Sequence, residues 1–532
     1  MARTHSNIKS TRQDNDREPI ASIAGSGLPD AIVFSPDGAF RHPRLDLRDR
    51  CDMANPEGTR KDGIWRCLHC HGPLISSAGG LNCAECRKQY PVVAGIPILV
   101  SDPAGYLRSE LASLTRASRD ATQSSKSLDR NGRNVGLPEA SLERHREVLE
   151  AEISRAQTLL ALLEPAAKAV EALGNHGEDT LGARRSGWAF ESLLPYLLRD
   201  WTDTSELAAA SSVIGRALKH AFADAPGQSI VFAGCGAGGL LDEISPDFER
   251  VLGFDLTLPV LASARHLLDG KSLNLALPRA IHEGGSITLR RRPPKPAATP
   301  VELLAMDAFD TAFADSSIDC VVTSFLIDLI PDPPRLAGEI HRILSPNGVW
   351  INYGPSGPLK ALWRFDRTEG AAFFEQAGFS VLQAEAHRST YLDLSRDCPA
   401  WSFQNHICYL TSSRKAGQGK AKPRVEAPSP AELPGLVPRH FPGANLISRQ
   451  SLGAEQTRTN LLRHEPLPGR AESIEIGSDT ARVLALVDGK KTVQEIADLL
   501  KEAEPPQPVE ETMRAFARYF DRRLLSWSGR GR

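Results

Sequence analysis

The stretch Ser229-Ile230-Val231-Phe232-Ala233-Gly234-Cys235-Gly236-Ala237-Gly238-Gly239, followed by a helical pattern from Leu240 to Ile244, decides the fold. The apolar residues read as a short buried strand, the glycines as a tight turn and the rest as a helix. Glycine lets a backbone approach a ligand closely, and a helix N-terminus offers unpaired N–H groups to a polar or anionic group. About twenty residues on, Val251-Leu252-Gly253-Phe254-Asp255 reads as a second strand, ending in a carboxylate placed to accept hydrogen bonds from both hydroxyls of a ribose.

Strand and helix patterns alternate from Ser229 to about Leu410, which predicts an α/β fold with a parallel sheet and crossover helices. A third strand is expected at Leu303 to Ala305 with Met306-Asp307-Ala308 at its end, and a fourth at Ile318 to Ser324. Open α/β sheets bind ligands at these carboxyl ends. Asp307 is placed to accept from an adenine amino group, with Met306 and Ala308 packed on the ring. Two other readings stand beside this one: Asp255 and Asp307 as loop caps, and a nicotinamide dinucleotide on the glycines. The later run Leu344-Ser345-Pro346-Asn347-Gly348-Val349-Trp350-Ile351, taken with Gly-x-Gly-x-Gly, resembles the class I S-adenosylmethionine-dependent methyltransferases. That resemblance implies a Rossmann-like fold with a mostly parallel seven-stranded sheet. It also implies S-adenosyl-L-methionine on Gly234, Gly236, Gly238, Asp255, Met306, Asp307 and Ala308.

Three further blocks narrow the resemblance: Arg199-Asp200-Trp201-Thr202, Thr323-Ser324-Phe325-Leu326-Ile327-Asp328 and Trp350-Ile351-Asn352-Tyr353-Gly354-Pro355. In order and spacing they are similar to the carnosine N-methyltransferase family over about Trp188 to Leu410. The resemblance implies that Arg199 and Trp201 close over the cofactor. It assigns Asp328 to hold the substrate imidazole, and Tyr353 and Tyr391 to substrate binding. A carboxylate on one ring N–H fixes the tautomer and makes the other nitrogen a better nucleophile. Where the family has a Leu-rich, His-containing stretch after Asn-x-Gly-Pro, this chain has Ser356-Gly357-Pro358-Leu359-Lys360. A helix N-cap or loop carboxylate is the other reading of Asp328.

Cys67-x-x-Cys70 and Cys83-x-x-Cys86 have the spacing of two knuckles that build a tetrahedral thiolate site, with zinc ahead of redox chemistry. His69 and His71 are read as bystanders. With Tyr90-Pro91-Val92-Val93-Ala94-Gly95-Ile96-Pro97-Ile98-Leu99 downstream, the segment resembles the zinc ribbon of methyltransferase activator proteins and of some rRNA guanine methyltransferases. The resemblance implies a structural zinc that supports the methyltransferase or contacts its substrate.

At 532 residues the chain has room for three or four domains of about 100 to 200 residues. Lys+Arg 63 against Asp+Glu 65 removes a chain-wide basic surface, so nucleic acid is not expected as a partner. No apolar run approaches the roughly 20 residues of a membrane span, and the polar start MARTHSNIKSTRQDNDREP is unlike a secretory signal. No membrane association and a cytoplasmic location are the expectations.

The expected organisation is disorder over 1–60, a zinc ribbon at 61–103, a linker at 104–137 and a helical segment at 138–224. The methyltransferase domain follows at 225–412, then a Pro-rich linker at 413–442 and a last domain at 443–532. The basic insertion Arg290-Arg291-Arg292-Pro293-Pro294-Lys295-Pro296 reads as a solvated loop. In the last domain, Thr492 with Glu495 fits a capping box, and Met513, Phe516, Tyr519, Phe520 and Leu524 form a core stripe on a helix from Val509 to Leu525. The pattern is similar to PqqD-like and winged-helix modules, which implies a peptide or protein partner. The sequence reading is thus an N-methyltransferase acting on an imidazole-containing or other small-molecule or peptide acceptor. An RNA or protein methyltransferase, or a non-catalytic scaffold, stands as the alternative.

Overall fold

The computed structural model describes residues 63–77, 80–173, 190–223, 227–244, 248–292, 299–330, 332–357, 363–392, 404–416, 431–439, 445–450, 457–464, 471–476, 478–521 and 526–529. The expected disorder over 1–60 lies outside these residues. Strands β1 (Leu74–Ser77), β2 (Gly80–Cys83), β3 (Gln89–Val93) and β4 (Ile96–Leu99) form an antiparallel meander. Helices α1 (Pro103–Asn134), α2 (Glu139–Leu162), α3 (Glu164–Leu173), α4 (Phe190–Trp201) and α5 (Ser205–Ala221) follow. Then come β5 (Ser229–Ala233), α6 (Gly239–Ile244), β6 (Arg250–Asp255), α7 (Leu258–Leu268) and a hairpin of β7 (Leu273–Ala276) and β8 (Ser286–Leu289). Strands β9 (Val301–Met306) and β10 (Ile318–Ser324), helix α8 (Pro333–Ile343), β11 (Leu344–Pro355), α9 (Arg367–Gln376), β12 (Phe379–Tyr391) and β13 (Gln404–Lys415) complete the α/β region.

The sheet runs β1-β2-β3-β4-β9-β6-β5-β10-β11-β13-β12. It corrects the expected seven strands to eleven in a mixed sheet: the seven from β9 to β12 are there, but the ribbon continues the same sheet. Ile98 and Leu99 of β4 pair in parallel with Ala305 and Met306 of β9. A sheet edge with unpaired N–H and C=O groups takes up another strand, and β4 fills that place. One face buries Ile98, Leu197, Leu261 and Tyr353, and the other buries Cys67, Tyr90, Phe313, Trp350 and Phe374. The second cluster joins side chains of the ribbon and of the α/β region in one core.

The expected linker over 104–137 is α1 instead. Ser, Arg and Asn make the segment polar, but Asp102 caps it, accepting from Gly105 N–H at 3.0 Å, and Pro103 stands in its first turn. Leu107, Leu114 and Ala121, buried at seven-residue spacing, give it a narrow apolar seam.

The C-terminal module starts earlier than expected. Leu433 belongs to its core, and β14 (Leu436–Arg439) pairs with β18 (Ser526–Gly529). Between them lie the antiparallel sheet β15 (Asn445–Gln450), β16 (Thr457–His464) and β17 (Ala471–Ile476), then α10 (Ser478–Ala485), α11 (Val493–Lys501) and α12 (Val509–Asp521). Thr492 and Glu495 make both hydrogen bonds of the capping box, and Phe516 and Tyr519 are buried as expected. The side chains of Phe520 and Leu524 lie outside the described residues. Among the described residues no helix is long and apolar enough to cross a membrane.

Candidate functional site

The strand order reverses beside β5, with β6 on one side and β10 on the other, which opens a crevice at their carboxyl ends. There Gly234, Gly236 and Gly238 have φ of +66°, +53° and +82°, a left-handed backbone that glycine adopts at little cost. Asp255 ends β6. Its carboxylate accepts from Gly236 N–H at 3.1 Å and from Thr257 N–H at 2.9 Å, so it ties the glycine loop to the next strand. Burial pushes its pKa up despite those N–H bonds. Met306 is buried at the end of β9, with Asp307 and Ala308 half-buried beside it. Asp307 also closes its own turn, accepting from Phe309 N–H at 2.9 Å.

The end of α4 packs on the glycine loop. Trp201 Nε1–H donates to the Ala237 carbonyl at 2.8 Å, and the buried Asp200 accepts from Gly239 N–H at 3.1 Å and from Arg199 Nε–H at 2.8 Å. The first N–H of α6 is therefore held by Asp200. A Cβ on Gly239 would lie 2.6 Å from the Asp200 carbonyl oxygen, so only glycine permits this approach. Arg199 also pairs with Glu206 at 3.3 Å and lies 5.4 and 5.5 Å from the Tyr196 and Phe325 ring centroids. Glu206 in turn accepts from Leu392 N–H at the end of β12. Burial raises the Glu206 pKa even though Arg199 opposes it.

Asp328 lies within a single 3-10 turn, Ile327–Leu329, just after β10. It is not the N-cap of that turn, a place taken by Leu326. Burial pushes its pKa up to about 6. Phe325, three residues earlier, has φ +52°, strained for a residue with a side chain, and its N–H donates to the Tyr353 carbonyl at 2.8 Å. The Phe325 and Tyr353 rings meet edge to face at 5.6 Å. Tyr353 is 1% exposed, its hydroxyl is buried with no hydrogen-bond partner among the described residues, and burial pushes its pKa up. The side chain of Tyr391 lies outside the described residues.

The sulfurs of Cys67, Cys70, Cys83 and Cys86 all lie within 4.8 Å of one another, with Cys70 to Cys83 at 3.3 Å and Cys67 to Cys86 at 3.6 Å. A tetrahedral ion with bonds of about 2.3 Å to sulfur needs sulfurs roughly 3.8 Å apart, so this set fits zinc. The two knuckles repeat one backbone. His71 and Arg87, each just past the second cysteine, have φ of +63° and +60°, and their N–H groups donate to the carbonyls of Cys67 and Cys83. Amides of His69 and Cys86 point at the sulfurs of Cys67 and Cys83, each at 3.4 Å.

The ribbon grips the segment after β9 from its other side as well. Arg66 N–H donates to the Ala312 carbonyl, Ala314 N–H donates to the Ile64 carbonyl, and Trp65 stacks on Phe313 at 5.2 Å. Arg66 also reaches Asp310 at 3.7 Å and Glu339 at 4.0 Å. Helix α1 adds Tyr106, whose hydroxyl donates to the Leu256 carbonyl at 2.9 Å, and Glu110, which accepts from Leu258 N–H at 3.2 Å. Both hold the loop after Asp255. Asp200, Glu206, Tyr106 and Glu110 carry no motif of their own; Asp200 alone had a signal, its place between Arg199 and Trp201.

Residues 231–351 match a family described as a methyltransferase domain, and the chain carries that domain. A phosphatidylethanolamine N-methyltransferase of Cereibacter sphaeroides is 39% identical over 77 residues, 13% of this chain and 38% of that protein. A carnosine N-methyltransferase of Dictyostelium discoideum is 40% identical over 47 residues, 9% of this chain and 10% of that one. Among solved structures, the N-methyltransferase NodS of Bradyrhizobium japonicum, in complex with S-adenosyl-L-homocysteine, is 12% identical, with a TM-score of 0.29 over 43% of this chain and 98% of that one. The chain spans less than half the length of the curated relatives it matches.

Proposed function

We propose that this domain makes the chain an S-adenosylmethionine-dependent N-methyltransferase acting on an imidazole-containing or other small-molecule or peptide acceptor. The observation that carries the reading is the Asp255 carboxylate, held between the Gly236 and Thr257 amides beside three left-handed glycines. Asp255 is assigned the ribose hydroxyls, Asp307 the adenine amino group, Met306 and Ala308 the ring faces, and Arg199 with Trp201 the cover. The N-methyltransferase names of two matched relatives support the type of acceptor atom.

The bound donor supplies an electrophilic methyl on its sulfonium. Asp328 accepts from one N–H of the acceptor ring, which leaves the other nitrogen neutral with its lone pair toward the methyl. Phe325, backed edge to face by the buried Tyr353, packs beside the acceptor ring and keeps water from the line of attack. As the N–C bond forms the S–C bond breaks, and the ring N–H proton, made acidic by the new charge, is shared with Asp328. Proximity and orientation provide most of the acceleration. Zinc on Cys67, Cys70, Cys83 and Cys86 would be structural, since four thiolates leave no open position. The C-terminal module is assigned a peptide or protein partner.

Asp328→Asn tests the acceptor assignment. Methyl transfer to imidazole compounds and histidine-containing peptides should fall about 100-fold or more, with S-adenosylhomocysteine binding unchanged. Wild-type activity should rise through the pH region near 6 as Asp328 ionises. Activity within threefold of wild type in the variant would remove Asp328 from the mechanism.

A further inference from the structure

In the basic insertion Arg290 is exposed, as its sequence predicts, but Arg291 and Arg292 are half-buried and bound to their neighbours rather than solvated. Arg291 grips Asp242 of α6 with two nitrogens, at 3.0 and 2.6 Å, and donates to the Leu268 carbonyl at the end of α7 at 2.9 Å. Arg292 donates to the Asp200 carbonyl at 3.4 Å and to the Thr202 carbonyl at 2.5 Å, and it meets Glu243 of α6 at 3.3 Å. The last carbonyls of a helix have no partner within the helix, and a guanidinium there satisfies them and complements the helix dipole. Two consecutive arginines thus span α4, α6 and α7, which all meet at the glycine loop.

The turn that Arg292 holds is the one that carries Asp200 and Trp201. Asp200 uses its carboxylate on Gly239 N–H and on Arg199, while Trp201 uses its indole N–H on the Ala237 carbonyl. None of these three contacts reaches across to the β7–β8 hairpin; Arg292 supplies that link. If the carbonyls of Asp200 and Thr202 lose their cation, the end of α4 is free to lift from the glycines with both side chains.

We propose that Arg292 is a positioning residue for the methyl donor: from the insertion it clamps the carbonyl end of α4 so that Trp201 and Asp200 stay seated on the glycine loop. The proposal rests on the donor-site reading above. Arg291 serves a different part of the same strut, fastening α6 to α7 without touching α4.

The test uses the full chain with S-adenosylhomocysteine as the probe. Arg292→Ala should weaken its Kd by about tenfold or more, the scale of one or two lost charge-assisted hydrogen bonds. The melting temperature of the cofactor-free protein should stay close to wild type, and Arg292→Lys should recover part of the affinity. Arg291→Ala should lower the melting temperature more than it weakens binding. Hydrogen exchange of the cofactor-free protein supplies the second readout, with faster exchange at the Gly239 amide in Arg292→Ala but not in Arg291→Ala. A Kd within twofold of wild type, or unchanged exchange at Gly239, overturns the proposal. A wild-type protein that does not bind the probe overturns the donor-site reading instead, and the exchange result then decides the clamp by itself.

Discussion

The ribbon and the C-terminal module are both small additions to the methyltransferase domain, yet they relate to their surroundings in opposite ways. The ribbon contributes four strands to the large sheet, joined to it through β4, and Cys67, Leu74 and Tyr90 to one of its two cores. The C-terminal module keeps its own sheets and its own core of Leu433, Val483, Ile496 and Phe516. A domain-sized motif therefore does not say whether a module is autonomous; strand pairing decides it. Through β4 and Arg66 the ribbon holds both ends of the segment that carries Asp307, so damage there should reach the donor site, while damage to the C-terminal module should not.

The sharpest way to break this contrast is to strip the metal. Chelation, or Cys67→Ser with Cys83→Ser, should lower the melting temperature of the methyltransferase domain by roughly 10 °C or more and abolish S-adenosylhomocysteine binding. An unchanged melting curve would make the ribbon a passenger. Next in size, Phe516→Ala should cost the C-terminal module about 3–5 kcal/mol, seen as a separate early transition, with cofactor affinity kept within twofold. Coupled loss of binding would show the two cores to be one cooperative unit.

A smaller effect is expected from Arg66→Ala. Glu339 keeps Arg342 at 2.6 Å, so the loss should be about 1–3 kcal/mol, with a modest rise in cofactor Kd measured by titration. The smallest concerns the acceptor side. The Asp328 pKa is raised in the fold from 3.8 to about 6, so its ionised form is disfavoured there, and the folded state loses stability as pH rises across that interval. Asp328→Asn should therefore melt slightly higher than wild type above pH 6, with the difference gone below pH 3.8. A variant that melts lower at every pH would mean that the carboxylate is a structural partner.

Much of this was legible in the chain. The glycine loop, Asp255, the four cysteines and the capping box at Thr492 announce themselves because each is a local pattern with one physical use. What stayed hidden is non-local. Nothing in Ile96-Pro97-Ile98-Leu99 says that it will lie against Ala305 and Met306, because edge pairing depends on which strand is left open. The polar α1 was missed because its buried apolar residues, Tyr106, Leu107, Leu114 and Ala121, are few and widely spaced among polar ones. Arg291 and Arg292 read as a solvated charge run because their partners, Asp242 and the end of α4, are 49 or more residues away in sequence. Asp200 sat inside a quoted motif, and only its contact with Gly239 shows what it does.

The central claim is that the glycine loop and Asp255 hold the methyl donor. Calorimetric titration of the zinc-replete protein with S-adenosylmethionine and S-adenosylhomocysteine, beside Asp255→Ala, tests it most directly. Saturable binding by the wild type and its loss in the variant is the predicted result. A folded wild-type protein that binds neither compound would contradict it.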